Sequence, residues 1–213
     1  MNNLLDLLQI LTNNPLIPVV ILAVLIVPLI LRGSVRIGAT VYGTCIWVCD
    51  GDTVYVRINP FRKIKVRIAG EDAPESDQDY GEESREFLNR LLYRKKVSVQ
   101  IVDRDRYGRY VGIVTSDNRD VTLEILKAGL AWCYYAYLKN LPPHLASAYK
   151  KAAYNAKMNR RGLWKASKPV APWDWRKAQR EEAGTLRWAI AVMVLGLSVL
   201  FGMMYWLASQ RGF

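Results

Sequence analysis

Two runs without charge bracket the chain. Trp188 to Ala208 gives 21 consecutive uncharged positions between Arg187 and Arg211, and Pro15 to Leu31 gives 17 more. As helices these runs measure about 31 Å and about 26 Å, against a hydrocarbon core of about 30 Å. The longer run carries Trp188 at one end and Tyr205-Trp206 at the other, amphipathic rings that favour the two membrane interfaces. A core helix rarely stays apolar on every face for six turns. Residues 187–209 are therefore expected to span a bilayer. The shorter run reads as a second, retained anchor within 1–34. Its competitor is a cleaved signal peptide, but Met1–Asn14 holds no Lys or Arg and no small-x-small site follows Leu31.

Between the runs the pattern changes twice. Thr40–Val48 and Thr53–Ile58 are rich in β-branched and aromatic residues and flank the turn signal Cys49-Asp50-Gly51-Asp52. Lys63–Ala69 alternates basic and apolar positions, as a half-buried strand does. Val97–Asp103 and Tyr110–Thr115 are further strands, separated by Arg106-Tyr107-Gly108. Helical spacing then takes over. Glu82–Leu92 lines up Phe87, Leu88, Leu91 and Leu92; Thr122–Ala128 stops at Gly129; Pro143–Met158 follows two prolines and ends near Gly162. Five strands, one helix after the third and two after the fifth, predict an α+β domain on a small barrel over 35–166. Residues 167–186, with Pro169, Pro172, Trp173 and Trp175, read as a linker to the membrane.

Charge adds the partner. The chain has 30 Lys+Arg and 19 Asp+Glu, a formal +11. Only Arg32, Arg187, Arg211 and Asp6 fall outside residues 33–185, so the middle keeps +9, the footprint of a protein that meets polyanions. A solvated face beside anionic lipid is the blander explanation. Arg32 and Arg36 after the first run, and Arg176, Lys177, Arg180 and Arg187 before the second, place the middle domain on the cytoplasmic side of a two-pass protein. A domain basic for its own reasons weakens that rule, which leaves a periplasmic or extracellular placement as the alternative. Three cysteines build no disulfide scaffold, and Cys45 and Cys49 lack the second pair that a zinc site needs. His144, the single histidine, opens a helix and reads as structural.

The chemistry lies in acids and arginines. Asp50 and Asp52 share one turn, and Glu71, Asp72 and Glu75 follow the third strand. Each cluster alone is an ordinary loop; together they offer the hard oxygens that Ca²⁺ or Mg²⁺ takes. Arg67 and Arg109 supply guanidinium forks for phosphate oxygens. Carboxylates, a further Glu and two arginines are what metal-assisted phosphodiester hydrolysis needs, because attack on an anionic phosphate requires its charge to be neutralised.

The order and spacing of these groups resemble the staphylococcal nuclease (thermonuclease) family from about Ala39 to Trp164. The matching pieces are Asp50-Gly51-Asp52-Thr53-Val54, Arg67-Ile68-x-x-x-Asp72-Ala73-Pro74-Glu75, Tyr80-Gly81, Asp105-Arg106-Tyr107-Gly108-Arg109, Gly129-Leu130-Ala131, Tyr135-x-Tyr137 and Trp164. The resemblance implies a five-stranded OB-fold barrel with three helices, here flanked by two transmembrane helices, and Ca²⁺-dependent hydrolysis of DNA and RNA with little sequence preference. It implies Asp52, Asp72 and the Ala73 carbonyl as Ca²⁺ ligands, Asp50 near the ion's water shell, and Glu75 as general base or water-orienting group. Arg67 and Arg109 would grip the scissile phosphate, Arg106 and Tyr107 a terminal phosphate, and Tyr135 and Tyr137 would line the nucleotide pocket. Ala73 replaces a Thr of the familiar pattern and Arg106 a Lys, and the loop Ser76–Asp79 is shorter. The expected partners are DNA, RNA and the lipid bilayer, with no obligate protein partner evident. The rival reading is a non-catalytic nucleic-acid or protein binding module tethered to a membrane.

Overall fold

The computed structural model describes residues 16–30 and 33–210. Residues 1–15, 31–32 and 211–213 carry part of the orientation argument, including Asp6, Arg32 and Arg211, and lie outside the described residues. The first described element is helix α1 (Leu16–Ile30), whose 15 residues measure about 22 Å, short of a hydrocarbon core.

Strands β1 (Thr40–Val48), β2 (Thr53–Asn59) and β3 (Arg62–Ile68) form an antiparallel meander. The two-residue strand β4 (Glu71–Asp72) and helix α2 (Gly81–Leu92) come next, before β5 (Lys96–Arg104) and β6 (Tyr110–Ser116). β5 pairs with both β1 and β6, and β6 pairs in parallel with β3. The ring β1-β2-β3-β6-β5 is therefore a closed five-stranded barrel without free edges. The remaining elements are β7 (Arg119–Asp120), helix α3 (Val121–Ala128), β8 (Trp132–Cys133), helix α4 (Pro143–Met158) and helix α5 (Pro172–Gln210).

Alternation explains the barrel. On β3, Ile64, Val66 and Ile68 point inward and are buried, while Lys63 and Lys65 face solvent. Val54, Val56, Val99 and Ile101 meet them inside, each contributing roughly 1.5–3 kcal/mol by leaving water. Leu88 and Leu92, four apart on one face of α2, are fully buried against this core. A second cluster joins Val111 and Ile113 of β6 to Ile125 and Leu126 of α3 and Tyr149 of α4. Asp120 ties these helices together. Its Oδ1 caps α3 by accepting the Leu123 N–H at 2.9 Å, and its Oδ2 accepts the Tyr149 hydroxyl at 2.6 Å.

One expectation changes. Residues 167–186 do not form a linker throughout: from Pro172 onward they belong to α5, a continuous helix of 39 residues that runs into the uncharged stretch. Pro172 fits the first helical position, because its missing N–H costs nothing there. Within this helix, Pro172–Trp206 is long and apolar enough to cross a membrane, and its apolar window is wholly exposed.

Candidate active site

Two loops and one strand end bring the acids together. The register of β2 against β3 sets Thr53 opposite Arg67, so Asp52 lies beside that arginine. The Asp52 N–H donates to Asp50 Oδ1 at 3.0 Å, which closes the turn locally. Gly51 makes the approach possible, since a Cβ there would overlap the side chains of Ala73 and Ser84. The Asp50–Asp52 turn thus packs directly on the Asp72–Glu75 loop. β4 holds that loop from the other side, pairing Glu71 with Cys133 and Asp72 with Trp132.

Arg67 joins the two carboxylates. Its Nη1 donates to Asp52 Oδ2 and its Nη2 to Asp72 Oδ1, the latter at 2.7 Å. Asp52 and Asp72 therefore converge within the width of one guanidinium, and both are buried. Burial pushes the Asp52 carboxyl up to about 7 against the pull of Arg67, with Asp50 and Asp72 adding to the rise. For Arg67 burial works the other way, but Asp52 and Asp72 overcome it and hold the guanidinium charged.

Arg109 is brought in by the parallel β3–β6 pairing, which sets Val111 opposite Arg67. The Asp105 side chain organises the preceding turn. Its Oδ1 accepts the N–H groups of Tyr107 and Arg109, each at 2.9 Å, and its Oδ2 accepts Arg109 Nε at 2.7 Å. Arg109 Nη1 then reaches Thr53 Oγ1 at 3.2 Å, and Thr53 donates to Asp52 Oδ1. The two arginines and two aspartates therefore form one connected set.

These groups line a cleft of about 670 Å³ that also takes in Asp50, Ala73, Glu75, Arg106, Tyr107 and Tyr137. Of the expected residues, Tyr135 is exposed and is not among those lining the cleft; Tyr134 takes that place. The Tyr134 N–H bonds to the Gly70 carbonyl at 3.1 Å, which anchors it at the cleft wall. The Tyr137 hydroxyl donates to Asp103 at 2.8 Å; burial and that bond raise its ionisation well above the usual range.

The cleft gives Glu71, one of the acids singled out in the sequence, a setting the sequence does not reveal, and adds Lys65 and Arg176, which sequence reasoning did not place there. Glu71 is fully buried and, among the described residues, neither carboxyl oxygen has a hydrogen-bond partner. Burial, then the neighbouring Asp52, raise its pKa well above the ordinary range. Lys65 adds a positive rim. Arg176, from the first turns of α5, donates through Nη2 to Asp72 Oδ2 at 2.7 Å and through Nη1 to Glu75 Oε1 at 2.6 Å. The run Arg176-Lys177 shows in the sequence as flanking charge, and nothing local reveals that it folds back across roughly a hundred residues.

The donor set suits a hard divalent cation. Asp52 and Asp72 are oxygen ligands that already hold a cationic group between them. Among the described residues no three or more His, Cys, Asp or Glu side chains form a ready cage, so backbone oxygen and water would complete the shell.

A family model described as "Staphylococcal nuclease homologue" matches residues 65–166. The chain is 42% identical over 119 residues to a "Probable staphylococcal-like nuclease CAN1" of Oryza sativa subsp. japonica, covering 56% of this chain and 34% of that protein. It therefore spans only about a third of this plant relative. It is 34% identical over 133 residues to an "Uncharacterized endonuclease" of Haemophilus influenzae, covering 62% of this chain and 71% of the relative. A protein with the same description from Escherichia coli O157:H7 is 37% identical over 139 residues, covering 65% of this chain and 86% of the relative. With that coverage, and with the barrel and cleft described above, the chain belongs to the staphylococcal nuclease family.

Proposed function

We propose that this protein is a membrane-anchored nuclease that hydrolyses phosphodiester bonds of DNA and RNA, with Ca²⁺ as cofactor. One observation carries the reading: Asp52 and Asp72 converge on the two terminal nitrogens of Arg67, with Glu75 and Arg109 on the same cleft. The relatives named as nucleases support the reaction class.

Asp52, Asp72 and the Ala73 carbonyl are the residues that would hold the cation. When bound, Ca²⁺ supplies positive charge against the phosphate oxygens and a site for ordered water. Arg67 and Arg109 bind the non-bridging oxygens, where bidentate guanidinium bonds strengthen as charge accumulates in the transition state. Glu75 orients the attacking water and accepts its proton, and Arg109 faces the oxygen whose bond to phosphorus breaks. Lys65, Arg106 and Tyr107 hold the flanking backbone. Tyr134 and Tyr137 offer ring faces that stack on any base, which suits a broad substrate range.

The exposed apolar part of α5 supports a membrane anchor. The charge flanks support a central domain on the cytoplasmic side. A second reading, a tethered binding module without turnover, draws on Arg67 and Arg176 already neutralising the carboxylates.

Cleavage of plasmid, single-stranded DNA and RNA by the full-length chain in detergent, with Ca²⁺ and then with chelator, decides between them. Glu75→Gln should lower turnover by roughly 10²–10⁴, as loss of a general base does. A change under about tenfold removes Glu75 from that role.

A further inference from the structure

The start of α5 is built into the cleft. Ala171 is buried, and the Trp173 ring meets Trp132 edge-on at 5.6 Å and tilts over Tyr134 at 6.1 Å. Gln78 Nε2 donates to the Val170 carbonyl at 2.7 Å. Asp77 then takes two bonds from successive turns of the helix, from Trp175 Nε1 at 3.3 Å and Gln179 Nε2 at 2.7 Å. This scaffold delivers one guanidinium to the acids.

Arg176 leaves little of Asp72 free. Oδ2 takes Arg176 Nη2 at 2.7 Å, and Oδ1 takes Arg67 Nη2 at 2.7 Å and Arg176 Nη1 at 3.3 Å. The same Nη1 holds Glu75 Oε1 at 2.6 Å. Asp72 is the most buried acid of the set, so a guanidinium with paired donors is a strong partner for it. A divalent cation bound at Asp72 needs the same lone pairs, and two cations at one carboxylate repel.

We propose that Arg176 is a tethered cation that latches the site closed, and that a divalent cation and Arg176 compete for Asp72. This rests on the reading of Asp72 as a metal-binding carboxylate. In the latched state the metal ligand and Glu75 are both engaged, so the site is silent. Release of Arg176 frees both together and returns a positive charge to the cleft mouth, where Arg180 already stands.

The test is calorimetric titration of Ca²⁺ into the full-length chain in detergent, without substrate, for wild type, Arg176→Ala and Asp77→Ala. Asp77→Ala loosens the docked helix without touching any proposed ligand, so it covers the case in which the first variant misfolds. Both variants should bind Ca²⁺ more tightly, Arg176→Ala by at least about tenfold, the equivalent of about 1.4 kcal/mol. In wild type, Ca²⁺ should also speed hydrogen exchange of backbone amides in residues 172–180. Equal affinity in all three proteins, with unchanged exchange, overturns the latch while leaving the metal site standing. No Ca²⁺ binding by any of the three overturns the metal site and the latch with it.

Discussion

At the scale of single residues, the cleft is a set of charges whose partners are chosen by burial. Asp105 illustrates how a side chain outside the reaction sets the aim of one inside it. Its three bonds from the 107–109 turn fix Arg109, and they hold the Asp105 carboxyl below its usual range although burial alone would raise it. A depressed folded pKa means that this stabilisation is full above the unfolded value near ~3.9 and fades as pH falls through the folded one. Thermal unfolding followed by circular dichroism should therefore show an acid loss below about pH 4 that is smaller in Asp105→Asn. At neutral pH the same variant should lower turnover more than substrate binding, because Arg109 loses its orientation rather than its charge.

At the scale of elements, α2 ties the loop that carries Glu75 to the barrel. Leu88 and Leu92 enter the core from one helical face, and Ser84 Oγ bonds the Tyr80 carbonyl at 2.7 Å near the helix start. Gly81 lets that start lie against the loop, since a Cβ there would overlap the Glu75 carbonyl. Leu88→Ala removes a fully buried side chain from a packed interior and should cost 2–5 kcal/mol, read as a lower midpoint in urea with little change in slope. A cost under about 1 kcal/mol would mean the helix is not held by this contact. The five barrel strands β1, β2, β3, β5 and β6 were legible from β-branched runs and alternation, and the helices from their apolar stripes and from Gly129, whereas the two-residue strand β4 read as a loop. The start of α5 was not, because Pro, Trp and basic residues read as a tether until their partners on Trp132 and Asp77 are in place.

At the scale of the whole molecule, α5 joins the cleft to the apolar stretch in one continuous helix. Arg176 and Trp188 are twelve residues apart, so the latch lies about 18 Å along the axis from the start of the uncharged run. Substrate would thus be met close to the proposed membrane surface, and on the proposed cytoplasmic placement a latch there would restrain nuclease activity beside the host's own nucleic acid. The two-pass arrangement expected from the sequence would have a reporter fused after Phe213 and one inserted in a loop of the middle domain give signals on opposite sides of the membrane. Signals on the same side would remove the second span from the proposal.

Local patterning, by itself, determined much of this protein. Alternation and β-branched runs specify the five strands, helical stripes specify the helices packed on them, and the uncharged runs mark the two ends. The candidate acids and arginines were also readable as residue types, and their order and spacing carried the family resemblance, which assigned the carboxylates to a cation and Arg67 and Arg109 to a phosphate. Tertiary structure decided which charges meet. Only barrel closure, through β3 beside β6, sets Arg109 on the rim of Asp52. Only folding of the chain's far end onto Trp132, Tyr134 and Asp77 delivers Arg176 to Asp72, and no local preference encodes a contact across 104 positions. The physical reason is that backbone propensity acts over a few residues, whereas an ion pair depends on where the whole chain puts its two ends.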